Sequence, residues 1–269
     1  MSRRFEDLVA LQARLRSPQG CPWDREQTHE TLRTYLLEET YEVMEAIEAR
    51  DFEKLPAELG DLLLQIVFHA QLAREAGRFE IGDVIESIYT KLVRRHPHVF
   101  ADTKAESAQQ VVKNWEALKA EERHAEASEN ADSILAGVPR TLPALLEAYQ
   151  LTRRASSIGF DWDEIEGLLE KLKEETAELR QTLAAGDPAE ASGAGPARVE
   201  EEVGDLLFVA ANVARFLGMD PEIALKKANR KFAARFREME QEMGRRGGRL
   251  ADASREEMEA LWLRSKNKT

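Results

Sequence analysis

Segments of the first half of the chain return in the second half in the same order, and this repetition limits the fold more than any other feature. Glu38-Glu39-Thr40-Tyr41-Glu42 returns as Glu174-Glu175-Thr176-Ala177-Glu178, 136 residues on. Glu58-Leu59-Gly60-Asp61-Leu62-Leu63 returns as Glu202-Val203-Gly204-Asp205-Leu206-Leu207, 144 residues on. Trp23-Asp24 matches Trp162-Asp163, Lys91 and Arg95 match Lys231 and Arg235, and Trp115 and Lys119 match Trp262 and Lys266. The offset drifts only through loops. Its eight extra residues fall in the Gly- and Pro-rich stretch 185–197, read as a mobile loop or lid near the second site. The chain is read as two versions of one module, residues 1–120 and 144–269, joined by a linker at 121–143.

Each module reads as helical. Phe5, Leu8, Val9, Leu11 and Leu15 have helical spacing and stop at Ser17-Pro18-Gln19-Gly20. A second run, Thr31 to Ala49, sets Leu32, Leu36, Val43, Met44 and Ile47 mostly along one stripe. A third, Glu53 to Glu75, is nearly all apolar between Leu59 and Leu72, which predicts burial at the centre of a bundle. A fourth, Ile81 to Arg95, stops before Pro97. β-branched alternation is almost absent, so the class is all-α, with helix packed on helix.

Charge and cysteine content narrow the function. Fifty acidic against 38 basic side chains leave a net charge of −12, which argues against a nucleic-acid partner. One cysteine, Cys21, makes no internal disulfide, and no apolar run approaches the length of a membrane span. The start of the chain lacks the apolar region of a signal peptide. These features predict a soluble, cytoplasmic protein without a membrane partner.

The chemistry lies in the repeated acids. Residues three apart on a helix share a face, so Glu39 pairs with Glu42 and Glu58 with Asp61. Such spacings arise several times by chance in so acidic a chain, and a solvated face predicts them equally. The second pair differs, because it opens the most apolar helix of the module, as Glu202 and Asp205 do before Leu206-Leu207-Phe208-Val209. Acids entering a buried helix are costly unless paired or metal-bound, although a helix start also favours them. Packed together, the two helices bring four carboxylates to one place, a donor set for Mg²⁺ or Mn²⁺.

A carboxylate-held divalent ion most often serves phosphate chemistry. The pairs Lys91/Arg95 and Lys231/Arg235 would clamp a polyphosphate opposite the ion, with Lys119 and Lys266 adding to them. Trp115 and Trp262 are read as either core residues or packing against a base or ribose, and Trp23 and Trp162 as structural anchors.

Glu-Glu-x-x-Glu followed by Glu-x-x-Asp, in a tandem all-α chain, resembles the MazG nucleoside triphosphate pyrophosphohydrolases. Gly20-Cys21-Pro22-Trp23-Asp24 with Gln27-Thr28, and Arg94-Arg95-His96-Pro97-His98-Val99-Phe100, look like that family's first-domain signatures. The resemblance implies tandem modules of four-helix-bundle type, a homodimer, Mg²⁺, and hydrolysis of nucleoside triphosphates to monophosphate and pyrophosphate. Carried over, the metal ligands are Glu39, Glu42, Glu58 and Asp61, then Glu175, Glu178, Glu202 and Asp205. Lys231, Arg235, Trp262 and Lys266 match nucleotide-contacting positions, with Asn229 beside them. Glu38 and Glu174 are the candidates to orient the attacking water. The first module carries Tyr89 in place of Asn229 and breaks at His96-Pro97-His98, which points to another substrate or a structural role.

A di-iron protein needs Glu-x-x-His on bundle helices, whereas Glu26/His29 and Glu121/His124 lie in loop-like stretches and do not recur. A non-catalytic helical protein-binding module explains the amphipathic stripes but neither the acids entering the apolar helix nor the matched Lys/Arg pairs.

Overall fold

The computed structural model describes residues 3–101, 133–184 and 195–266, and between 102 and 132 only 107, 110, 111, 114, 115, 118 and 122. Among the described residues there are eleven α-helices, one 3₁₀ turn and no strand, as the all-α reading requires. The chain divides into two compact units, Met1–Glu121 and Glu122–Thr269. No helix of the described residues is long and apolar enough to cross a membrane.

The first unit holds α1 (Phe5–Leu15), α2 (Pro22–Glu26), α3 (Arg33–Ala49), α4 (Leu55–Glu75), α5 (Ile81–Arg95) and α6 (Pro97–Phe100). Helix α4 is its axis and packs against α3, α1 and α5. Leu32, Val43, Ala46, Val67, Phe68, Ala70 and Ala73 form the buried apolar set. The alanines let helix backbones approach closely. The turn from α1 into α2 needs Gly20, because a Cβ there would lie 2.0 Å from the Leu15 carbonyl oxygen.

Helices α3 and α4 form an αα-hairpin. Arg50 ends α3 in the left-handed region (φ 55°, ψ 33°), and the Asp51 amide donates to the Ala46 carbonyl at 2.9 Å. The Asp51 carboxylate then accepts the Lys54 amide at 3.0 Å and starts α4.

The second unit holds α7 (Ala144–Ser156), α8 (Ile165–Ala184), α9 (Gly195–Phe216), α10 (Pro221–Arg245), a 3₁₀ turn (Leu250–Asp252) and α11 (Arg255–Lys266). Helix α9 takes the place of α4, packing on α8, α7 and α10. Leu168, Ala148, Val209 and Ala211 are buried, and Met239, Leu250 and Leu261 form a second cluster where α11 folds back on α10.

Three sequence readings change. Helix α4 is not enclosed on all sides: Leu59, Leu63 and Ile66 stay exposed along one stripe, as do Val203 and Leu207 at the matching positions of α9. On α3, Leu32 and Val43 are buried, whereas Leu36 and Ile47 are exposed. In the Gly- and Pro-rich stretch 185–197, residues 185–194 lie outside the described residues, but α9 already begins at Gly195, since proline is tolerated in a first helical turn. Most of the linker, 121–132, also lies outside them, apart from Glu122.

Candidate functional site

An antiparallel hairpin sets residues equidistant from its turn at the same height. Glu42 and Glu58 each stand eight residues from Arg50, and Glu39 and Asp61 each stand eleven. The i, i+3 spacing within each helix and this matching across the turn together gather the acids. Oxygens of Glu39, Glu58 and Asp61 lie within 4.8 Å of one another. Glu42 joins through a hydrogen bond with Glu58 rather than as a member of that triplet.

The electrostatics show the strain of like charges. Burial, then the charges of Asp61, Glu58 and Glu38, raise the Glu39 carboxyl. The hydrogen bond and charge of Glu58 raise Glu42, while Glu58 itself is lowered, first by Lys54, whose Nζ sits 2.9 Å from Glu58 Oε1. The two acids of the pair are thus pushed in opposite directions.

The second unit repeats the gathering with a different choice of acids. Glu175 and Glu178 of α8 and Glu202 of α9 converge within 4.8 Å, while Asp205 is exposed and outside the triplet. Burial, then Glu175, raises the Glu178 carboxyl. Lys171 Nζ lies 2.9 Å from Glu175 Oε1 and 2.8 Å from Glu174 Oε1, and both acids raise its pKa well above the usual lysine value. The Thr182 hydroxyl donates to Glu202 Oε1 at 3.3 Å. Lys54, Lys171 and Thr182 did not emerge from the sequence, although each lysine stands four residues before its acid.

Both clusters are all-oxygen and short of positive charge, which fits a hard divalent cation. Each could hold a metal ion.

The basic and aromatic candidates separate. On α5, Lys91 is exposed and Arg95 half-buried, one helical turn apart. Trp115 packs edge-on against His96, with centroids 4.9 Å apart, and belongs to the His-Pro-His corner. Lys119 lies outside the described residues. In the second unit three predicted residues meet. The Arg235 guanidinium stands 5.9 Å from the Trp262 ring centroid and Lys266 Nζ 5.8 Å from it. Phe232 packs on the same indole at 5.4 Å and stacks on Phe236 at 6.0 Å. An exposed aromatic pair one turn apart, flanking Arg235, was the available signal for Phe232. Asn229 and Lys231 are exposed on α10, Glu38 is exposed on α3, and Glu174 is exposed but held by Lys171.

Trp23 of α2 and Trp162 of the loop before α8 are anchored structurally. Trp23 meets Tyr35 edge-on at 5.7 Å, and Trp162 lies so close to α8 that a Cβ on Gly167 would come within 2.5 Å of its Cδ1.

Comparison with known proteins identifies the family. The MazG nucleotide pyrophosphohydrolase domain matches residues 27–100 and 163–243. Those segments contain all eight carboxylates but neither Trp115 nor Trp262. The chain is 46% identical to the nucleoside triphosphate pyrophosphohydrolase of Escherichia coli over 98% of its own length and 97% of that protein. It is also 46% identical to the nucleoside triphosphate pyrophosphohydrolase/pyrophosphatase MazG of Thermotoga maritima, over 97% of this chain and 95% of the relative. A twice-repeated hairpin of carboxylates, matched in both repeats, leaves one assignment: the chain belongs to the MazG nucleotide pyrophosphohydrolase family.

Proposed function

We propose that this protein hydrolyses nucleoside triphosphates, ribo- or deoxyribo-, standard or modified, to the monophosphate and pyrophosphate. The observation that carries the reading is the convergence of Glu175, Glu178 and Glu202, and of Glu39, Glu58 and Asp61, inside the two family-matched segments. Modules 1–120 and 144–269, joined by 121–143, each carry one such centre.

In this reading Glu39, Glu42, Glu58 and Asp61, and Glu175, Glu178, Glu202 and Asp205, hold Mg²⁺, with Mn²⁺ as a substitute. Bound there, the ion neutralises phosphate oxygens and makes a nearby water more acidic. Lys231, Arg235 and Lys266 hold the polyphosphate by charge, Asn229 by hydrogen bonding, and Trp262 packs against the nucleoside. Lys91, Arg95, Trp115 and Lys119 are the counterparts in the first module. Water adds to the α-phosphorus as the bond to the bridging oxygen breaks, and pyrophosphate leaves in line. Glu38 and Glu174 orient that water, Glu174 only once the Lys171 ammonium has left it.

A homodimer completes the fold, because the exposed stripes on α4 and α9 offer matched apolar faces; light scattering giving a monomer mass would refute it. The proposed place of action is the cytoplasm, and the proposed role is the cleaning of nucleotide pools or the control of an alarmone level.

The deciding experiment is product analysis with each of the eight standard triphosphates and Mg²⁺. It compares wild type, Glu58→Gln/Asp61→Asn and Glu202→Gln/Asp205→Asn. Monophosphate plus pyrophosphate, lost only in the second double variant, makes the second module the catalyst; loss in both means two working sites. Diphosphate plus orthophosphate would overturn the assigned bond.

A further inference from the structure

Each carboxylate cluster contains one acid that is almost wholly withdrawn from solvent, Glu58 in the first unit and Glu175 in the second, both 5% exposed. Each of these two acids has a lysine four residues before it, Lys54 at the N-cap of α4 and Lys171 within α8, with Nζ 2.9 Å from Oε1 in both cases. The two lysines are not repeat equivalents. Glu58 matches Glu202, which is less buried and accepts a hydrogen bond from Thr182. Glu175 matches Glu39, and the position matching Lys171 is Tyr35 in the first unit. The position matching Lys54 is Arg198 in the second unit, an exposed base four residues before Glu202, so only Lys171 stands without a basic counterpart in the other repeat. A charge removed from water is costly without a partner, so the pairing answers burial in each unit separately.

Both lysines keep a route to solvent, with side chains 47% (Lys54) and 34% (Lys171) exposed. An ammonium on a flexible stem is a mobile point charge, unlike a guanidinium fork. It sits on a carboxylate that an ion held by the cluster would also use.

Resting on the metal reading above, we propose that Lys54 and Lys171 are resident counter-ions that hold the buried carboxylate in the metal-free protein and yield it to the divalent ion. The lysines then set metal affinity: each makes the empty site stable and makes the ion compete for its ligand.

The test uses the full chain and Mn²⁺ alone, with no nucleotide, by titration calorimetry and thermal melting. Lys171→Met is measured with the first cluster silenced by Glu58→Gln/Asp61→Asn, and Lys54→Met with the second silenced by Glu202→Gln/Asp205→Asn. Each lysine variant is expected to bind Mn²⁺ about tenfold more tightly than its background, the effect of one charge within a few ångströms. Each is also expected to melt lower without metal and to regain the loss when Mn²⁺ is added. Lys171→Arg, which keeps the charge, should remain near its background. Unchanged or weaker Mn²⁺ binding in both lysine variants overturns the proposal, as does a variant left unfolded that Mn²⁺ does not restore. Backgrounds that bind no Mn²⁺ overturn the metal reading itself, and this inference with it.

Discussion

Arg16 and Glu75 form a two-point ion pair that ties the end of α1 to the end of α4, with Nη2–Oε2 at 2.8 Å and Nε–Oε1 at 2.9 Å. The same guanidinium donates to the carbonyls of Asp24 and Gln27, so it also pins the loop after α2. The second unit secures its matching loop from the opposite side: Arg215 of α9 reaches Asp161, with Nη1–Oδ2 at 2.8 Å. Both clamps hold the Trp-Asp stretch that precedes the first acidic helix. Arg16→Met should cost about 2 kcal/mol, because it leaves two carbonyls without this donor and the Glu75 carboxylate with Gln71 alone, and Glu75→Gln about 1 kcal/mol. Urea denaturation checks both values.

The same pair gives a pH dependence. Arg16 is the main cause that holds the Glu75 carboxyl below its ordinary value of 4.5. A depressed acid contributes stability above its unfolded pKa and loses it as pH falls through the folded one. Acid unfolding below about pH 4.5 should therefore begin at higher pH in Arg16→Met than in wild type.

His69 provides a second pH window with its own sign. Its ring plane is within 2° of that of His29, and the two rings meet edge to edge, one Nδ1–H donating to the other Nδ1 at 2.8 Å. Burial, then the charge of His29, pushes His69 below the ordinary imidazole value of 6.5. The unfolded chain then takes up a proton that the folded one refuses, so stability is full above that value and falls as pH drops below it. Urea midpoints at pH 7.5 and 5.5 should separate in wild type and move closer in His69→Phe.

Gly167→Ala should destabilise the second unit by about 1–3 kcal/mol, because the new methyl occupies space held by the Trp162 ring. Tryptophan fluorescence should shift as that indole is displaced. An unchanged spectrum with full stability would show that the close approach carries no strain.

The cluster of Arg235, Trp262 and Lys266 should act on substrate binding more than on turnover. Arg235→Gln should raise KM for triphosphates by about tenfold, the loss of one charge-assisted contact, with a smaller change in kcat. Trp262→Phe keeps the packing on Phe232 and should separate the aromatic contribution from the core role of Trp262.

The sequence by itself determined the helices, the two repeats and the eight acids. Helical register is local, and the i, i+3 spacing of Glu39 with Glu42 or Glu58 with Asp61 fixes a shared face before any packing occurs. Even their meeting was legible, since an antiparallel hairpin must set Glu42 opposite Glu58 at equal distances from Arg50. Tertiary structure alone decided which acids converge: Glu58 and Asp61 from α4 with one glutamate of α3, but Glu175 and Glu178 from α8 with one glutamate of α9. It also decided which acid is buried, hence where each lysine pairs. Burial depends on how neighbouring helices tilt and cover a face, and repeat spacing carries no record of that. Trp115 and Trp262 illustrate the same limit. They hold matching sequence positions, yet one packs on His96 and the other gathers Phe232 and Arg235 of α10 beside Lys266 of its own helix, because the residues that meet each indole across the helix packing differ.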